Sequence, residues 1–194
     1  PNAAFGHFGI DVTGATGGVV RVDDLIIEDI TGAFLRDMLS LVDVRDFGAK
    51  GDGVTDDSAA FEAADSAANG RRILVPAGQF FLGSDVTLQN PVTFEGTVLQ
   101  GAADRFILQT GYNYDSYLAA FGNEELAFKK AYQALLNFSD HESLDLCGRR
   151  ISLSAPVDMQ AADPSRTVFA TRRVIRNGQF QPTSGTAWDT TVVT

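Results

Sequence analysis

The chain has 194 residues, 44% of them hydrophobic and 21% charged, enough apolar material to bury a core in one domain or two small ones. A formal net charge of -10 argues against nucleic-acid binding, which needs clustered Lys and Arg to displace phosphate counterions. No apolar run reaches the roughly 18 residues of a membrane helix, so membrane insertion is not expected.

Residues 1–30 read as β structure. In "GIDVTGATGGVVRVDDLIIEDI" a glycine-rich turn at Gly14–Gly18 precedes Val20, Val22 and an apolar pair at Ile26 and Ile27. The stretch is too short for a sheet of its own. It fits either a small β adaptor or the end of a preceding β-sandwich, and its "VDD" plus apolar strand resembles the close of a jelly-roll carbohydrate-binding module. Pro1 is not an initiator methionine, and no basic-then-apolar leader follows it. The chain reads as a piece of something longer.

Over 31–45, "TGAFLRDMLSLVDV" places Phe34, Leu35, Met38, Leu39 and Val42 on one helical stripe after a Thr31 cap. This is a connecting helix, either packed in a core or forming a neck where three chains meet.

Residues 46–110 open on "DFGAKGDGVTDD", in which Gly48, Gly51 and Gly53 suit tight turns at positive φ. Thr55, Asp56 or Asp57 can cap a helix with Ala60, Phe61, Ala64, Ala67 and Ala68 on its apolar face, ending near Asn69-Gly70. Small alanine side chains let such a helix lie close on a flat surface, as a lid does. Short strands follow at Ile73–Val75, Phe80–Leu82 and Val86–Leu88, then in "PVTFEGTVLQG" and "DRFILQT".

The remaining residues, 111–194, begin with a tyrosine-rich loop, "TGYNYDSYLAAFGN". A helix then carries Phe128, Ala131, Tyr132, Leu135 and Phe138 on one stripe, with Glu125 placed to pair with Lys129. Behind it, "LDLCGRRISLSAPVDM" aligns without a gap on "ILVPAGQFFLGSDVTL", so that Leu153 matches Leu82 and Val157 matches Val86. The helices ahead of both also coincide, with Tyr132 over Phe61 and Leu135 over Ala64. The chain holds two copies of a helix-plus-strands unit.

The stretch "VRDFGAKGDGVTDDSAAFEAADSAANG" followed by "ILVPAGQFFL" closely resembles the opening motif of the pectate-lyase-like right-handed β-helix superfamily. The resemblance covers residues 44 to about 99 strongly and extends weakly to about Phe180. It implies a mainly β chain: a right-handed parallel β-helix entrance with α-helical caps, behind the adaptor and connecting helix. In this family the motif closes the end of the coil and is not the active site. Asp46, Phe47, Gly48, Gly51, Asp52, Gly53, Asp56 and Asp57 are thus a structural cap motif. Chains that resemble this one, with an adaptor and neck ahead of the cap, are often phage tailspikes, head spikes or gene-transfer-agent spikes. That implies a homotrimer in a virion or extracellular particle, joined to other particle proteins through its N-terminal region and directed at cell-surface polysaccharide. A secreted polysaccharide lyase, glycoside hydrolase or epimerase of the same superfamily, with its groove outside this segment, is the alternative.

Catalytic residues are not assignable from the sequence. Glycan cleavage needs two matched carboxylates on a groove, or a base near a metal-bound uronate. Asp145 and Asp158 are isolated on strand-like segments, and His7 and His141 are too few for a relay. The aspartates of the cap motif lack the calcium-loop pattern. Cys147 is alone, no Cys/His spacing suits zinc, and no cofactor or metal is expected. Cys147 reads as a packing residue. Tyr112, Tyr114, Tyr117 and Trp188 are the candidates for stacking on sugar rings, although aromatic side chains more commonly pack inside.

Overall fold

The computed structural model describes Val19 and residues 40–137, 143–155, 157–159, 162–164 and 172–183. Over these residues the protein is mainly β with three α-helices. The adaptor expected over 1–30 falls outside the description, apart from Val19, and so does the connecting helix up to residue 39. Val42, expected on that helical stripe, lies instead in a strand, β1 (Leu41–Asp43), where it is buried.

β1 runs into one turn of 3-10 helix (Val44–Phe47), and β2 (Asp52–Asp56) leads to α1 (Ser58–Ala68). Two rounds of three strands follow. The first is β3 (Arg72–Val75), β4 (Gln79–Leu82) and β5 (Val86–Leu88), and the second is β6 (Val92–Phe94), β7 (Thr97–Gln100) and β8 (Phe106–Leu108). Each strand of the first round pairs in parallel with its counterpart in the second: Ile73 lies opposite Val92, Phe80 opposite Val98, and Val86 opposite Phe106. β1 and β2 add below β3 and β4, giving the orders β1-β3-β6, β2-β4-β7 and β5-β8.

Strand alternation builds the core. Ile73, Val75, Phe80, Leu82, Val86, Leu88, Val98, Phe106 and Leu108 all turn inward and are buried, while the residues between them are more exposed. α1 covers the mouth of this stack, packing on β1, β3 and β5. Its Ala60, Phe61, Ala64 and Ala68 are buried as expected, and Ala67 is half-buried.

After β8 the chain turns into two consecutive helices, α2 (Tyr114–Phe121) and α3 (Glu124–Asn137). The segment expected as a tyrosine-rich loop is therefore mostly helix. Asn113 caps it by accepting from the Ser116 N–H at 2.9 Å, and Gly122 ends it at φ 64°. α3 buries Phe128, Ala131 and Leu135 as its stripe requires. A second stack follows, with β9 (Ser143–Asp145) parallel to β11 (Val174–Arg176) and β10 (Arg150–Leu153) parallel to β12 (Gln179–Pro182). Of the pairs aligned in sequence, Leu153 ends β10 buried, as Leu82 ends β4, whereas Val157 lies outside any strand although Val86 begins β5. Cys147 does not pack in the core. It is half-buried in the β9–β10 turn at φ 56°, where the preceding Asp145 accepts its N–H at 2.8 Å.

Candidate functional site

The cap motif is a polar scaffold in which each carboxylate has a separate task. Asp57 is buried, and its two oxygens accept the N–H groups of Lys50 at 2.7 Å and Gly51 at 3.0 Å, fixing the loop ahead of β2. It stands at the N-cap position of α1 without capping it through its side chain. Asp56 takes that role, accepting from the Ser58 hydroxyl at 2.6 Å and the Ser58 N–H at 3.0 Å. It also reaches the Gly83 N–H beyond β4 at 3.0 Å. Asp52 folds its own loop by accepting from Val54 N–H, Thr55 N–H and the Thr55 hydroxyl. The Thr55 and Val54 amides hold the Asp52 carboxyl down at about 2, and the Ser58 hydroxyl lowers Asp56. Carboxylates this well supplied with donors are stabilised as anions and are poor proton donors.

The glycines form the corner of the stack. Gly51 accepts from Gln79 N–H at 3.1 Å, and Gly78 accepts from Thr97 N–H at 2.9 Å, so one turn sits on the next. Arg45 ties the corner down, donating to Ala77 O at 2.8 Å with its guanidinium 5.8 Å from the Phe80 ring centre. Asp46 and the 38%-exposed Phe47 stand on the 3-10 turn, which Gly48 closes at φ 100°. Gly53 sits at φ 76° in β2, beside a bulge that shifts the β2–β4 register.

A residue that sequence reasoning passed over completes the lower cap. Asp65 of α1 is buried, and its Oδ1 accepts from Gln89 N–H, Asn90 N–H and Asn90 Nδ2, each at 2.9 Å. Asn90 in turn accepts the Gly70 N–H at 2.7 Å. Helix and β5–β6 turn are thereby locked together. The signal was present in the spacing: Phe61, Ala64, Asp65 and Ala68 are one i, i+3, i+4, i+7 face.

α2 and α3 form a second cap with two working sides. Below, they supply donors to the carbonyls of the upper round of the first stack. The Tyr117 hydroxyl donates to Phe106 O at 2.9 Å and accepts Leu108 N–H at 3.4 Å, closing the upper edge of β8. Buried Lys130 donates to Gln100 Oε1, Gly101 O and Asp104 O at 3.0, 2.5 and 2.6 Å. Burial pushes its ammonium down to about 8. Gln133 donates to Ala102 O at 3.2 Å, while its own Oε1 is buried without a partner. Above, α3 supplies acceptors: Glu124 takes Ser152 N–H at 3.1 Å, and Glu125 takes Ser154 N–H at 2.8 Å and the Ser154 hydroxyl at 2.6 Å. The β8 edge below and the β10 edge above are thus answered by matching chemistry.

Two predictions arise here. Tyr117→Phe keeps the ring but strands the Leu108 N–H and Phe106 C=O, and is expected to cost about 1–3 kcal/mol in urea unfolding. A loss within error would show that the hydroxyl does not seal the edge. Glu125 is pulled down to about 2, chiefly by its hydrogen bond from Lys129 at 2.6 Å and then by Ser154. Its folded pKa lies below its ordinary 4.5, so its stabilisation is complete above that value and is lost as pH falls toward 2. Glu125→Gln should flatten the fall in stability across that window. An unchanged acid limb would refute the assignment.

The tyrosines are packing residues rather than a sugar platform. Tyr114 and Tyr117 are 1% and 0% exposed, and Tyr112 is half-buried with its hydroxyl donating to Ala131 O at 2.6 Å. Tyr117 packs edge-on against Phe106 and Tyr112 and parallel to Phe121. Burial raises Tyr114 to about 12. Trp188 and both histidines fall outside the described residues. Asp145 serves its own turn, accepting from Cys147 N–H and Asn177 Nδ2 and pairing with Arg176 at 3.3 Å. Among the described residues no group of three or more His, Cys, Asp or Glu is placed to hold a metal ion. No described helix is long and apolar enough to cross a membrane.

Among the described residues, open grooves flank the upper cap, two of them of similar size. One, of about 640 Å³, is lined by Asn123, Glu124, Glu125, Lys129, Ser152 and Ser154, and its two carboxylates are adjacent in sequence and already spent on backbone amides. The other, of about 590 Å³, lies between β6 and α2.

A search of curated proteins finds no match. Among solved structures, ORF18 of Geobacillus virus E2 is similar at 22% sequence identity with a TM-score of 0.25, over 46% of this chain and 20% of that one. The match thus spans about a fifth of that protein's length. The profile of the family described as rhamnogalacturonase A/epimerase, pectate lyase-like, matches residues 41–180, which takes in the lower cap, the first stack, the helix pair and the second stack as far as the start of β12. The chain belongs to that pectate lyase-like family.

Proposed function

We propose that residues 41–183 are the entrance of a right-handed parallel β-helix and that the protein is the structural, anchoring part of a virion-associated spike or fibre, a homotrimer directed at host surface polysaccharide. The observation that carries this reading is how the acidic side chains are used. Asp52, Asp56, Asp57, Asp65, Glu124 and Glu125 all accept backbone N–H groups at strand edges, turns or helix starts. Side chains so committed shape a scaffold and leave little for proton transfer. Strands that recur in parallel with their counterparts one round later fit a coil, and crossovers of that kind are nearly always right-handed. The order of adaptor, connecting helix and cap motif in the sequence supports the spike.

A second reading is favoured by the family description itself: a secreted polysaccharide lyase, glycoside hydrolase or epimerase. One experiment separates the two. The full chain is incubated with capsular and lipopolysaccharide glycans, and bound glycan, new reducing ends and unsaturated uronates are measured, with the assembly mass taken by light scattering. The spike reading expects a trimer that binds without products. Product formation by a monomer would overturn it in favour of the enzyme.

A further inference from the structure

The upper round of the first stack presents three upper strand edges, and they are not treated alike. On β8 the outward groups of Phe106 and Leu108 meet the Tyr117 hydroxyl. β7 lies under α2. β6 is the last strand of its sheet. Ile73 donates to Pro91 O and Glu95 donates to Val75 O, both at 2.8 Å. Alternation along an extended chain therefore turns the N–H and C=O groups of Val92 and Phe94 away from β3. That side opens on the groove of about 590 Å³, whose walls include Arg72, Thr93, Thr110, Asn113, Ser116 and Ala119.

We propose that this groove takes an extended polypeptide segment of a partner, which adds to β6 as a further strand of the β1-β3-β6 sheet and alternates small apolar with acidic residues. Two outward N–H and two outward C=O groups at strand spacing are complementary to another backbone, and this is what makes an open edge a template for strand addition. Val92, Phe94 and Leu108 give the groove an apolar inner wall, which suits small apolar side chains on the inner face of the added strand. The outer face carries Arg72, whose guanidinium makes one long hydrogen bond, to Thr93 Oγ1 at 3.4 Å, and has donors to spare. Asp115 on the opposite rim is already paired with Arg149 at 2.9 Å. The unmet charge is positive, so the outward residues of the partner strand are acidic.

The test is fluorescence anisotropy on the full chain with a short labelled peptide that alternates valine with aspartate. Two controls accompany it, one with lysine in place of aspartate and one N-methylated at alternate residues. The aspartate peptide is expected to bind, the lysine peptide about tenfold more weakly, and the N-methylated peptide not at all. Ala119→Trp, at an exposed position of α2, fills the groove without entering the core and should abolish binding at an unchanged melting temperature. Arg72→Glu, also at an exposed position, should reverse the preference between the two charged peptides. The proposal is overturned if no peptide binds, if the N-methylated peptide binds equally, or if Ala119→Trp leaves binding intact. It is also overturned if an acidic oligosaccharide, blocked by Ala119→Trp, is the only ligand found.

Discussion

Phe61→Ala is expected to cost about 3–5 kcal/mol, the range for removing a fully buried aromatic from a core that cannot collapse around the gap. Phe61 is 0% exposed and sits edge-on to Phe80 with ring centres 5.7 Å apart. It joins α1 to the corner strand β4. Its neighbours on the same face, Ala60, Ala64 and Ala68, are too small to fill the void. Removing the ring thus loses the transfer energy and leaves a cavity between α1 and the strand stack. Glu62→Ala and Ala63→Ser, on the exposed face of the same helix, should stay within about 0.5 kcal/mol. Urea unfolding of the three variants measures this directly. A Phe61→Ala loss no larger than that of the surface controls would mean that α1 does not seal the mouth of the stack.

The lower cap was legible because local chemistry and burial agree there. Alanines at helical spacing, glycines at tight turns and carboxylates beside them are all local signals, and α1 ends at Ala68 with Asn69 in the left-handed region, where the Asn-Gly pair places it. Strands β3 to β8 were readable from alternation and turn residues for the same reason. The upper cap was not, since what defines it is non-local. Tyr117 is recognisable as an edge seal only once β8 is known to lack a partner above it, and nothing near Lys130 in sequence foretells the carbonyls of Gly101 and Asp104. Spacing alone puts Asp65 on the buried face of α1, but the partners that let it stay there were hidden for a related reason. A charged residue within an alanine-rich helix is ordinarily solvated, and only the amides of Gln89 and Asn90 make its burial favourable. Misplacing Val42 on a helix has the opposite origin: one apolar residue fits both periodicities, and pairing with Ile73 decides between them.

The corner gives the sharpest separation of backbone from packing effects, through two glycines that share a positive φ. Gly48 lies at φ 100° with nothing within 4 Å of where a Cβ would stand. Gly51 lies at φ 64°, and a Cβ there would come within 2.8 Å of Phe80 Cζ and 2.9 Å of its Cε1. Phe80 cannot yield, for it is 0% exposed, packed on Phe61 and covered by Arg45. Moving Gly51 instead would pull its carbonyl from Gln79 N–H and its amide from the buried Asp57. Gly48→Ala should therefore cost only the left-handed backbone penalty, about 1–2 kcal/mol. Gly51→Ala adds overpacking of about 1–3 kcal/mol, for a total of roughly 2–5 kcal/mol. Pairing Gly51→Ala with Phe80→Leu tests the cause, because shortening the ring should recover part of the loss in a double-mutant cycle. Equal costs at the two glycines, or additivity with Phe80→Leu, would show that the corner depends on backbone conformation alone and that Phe80 does not wedge it.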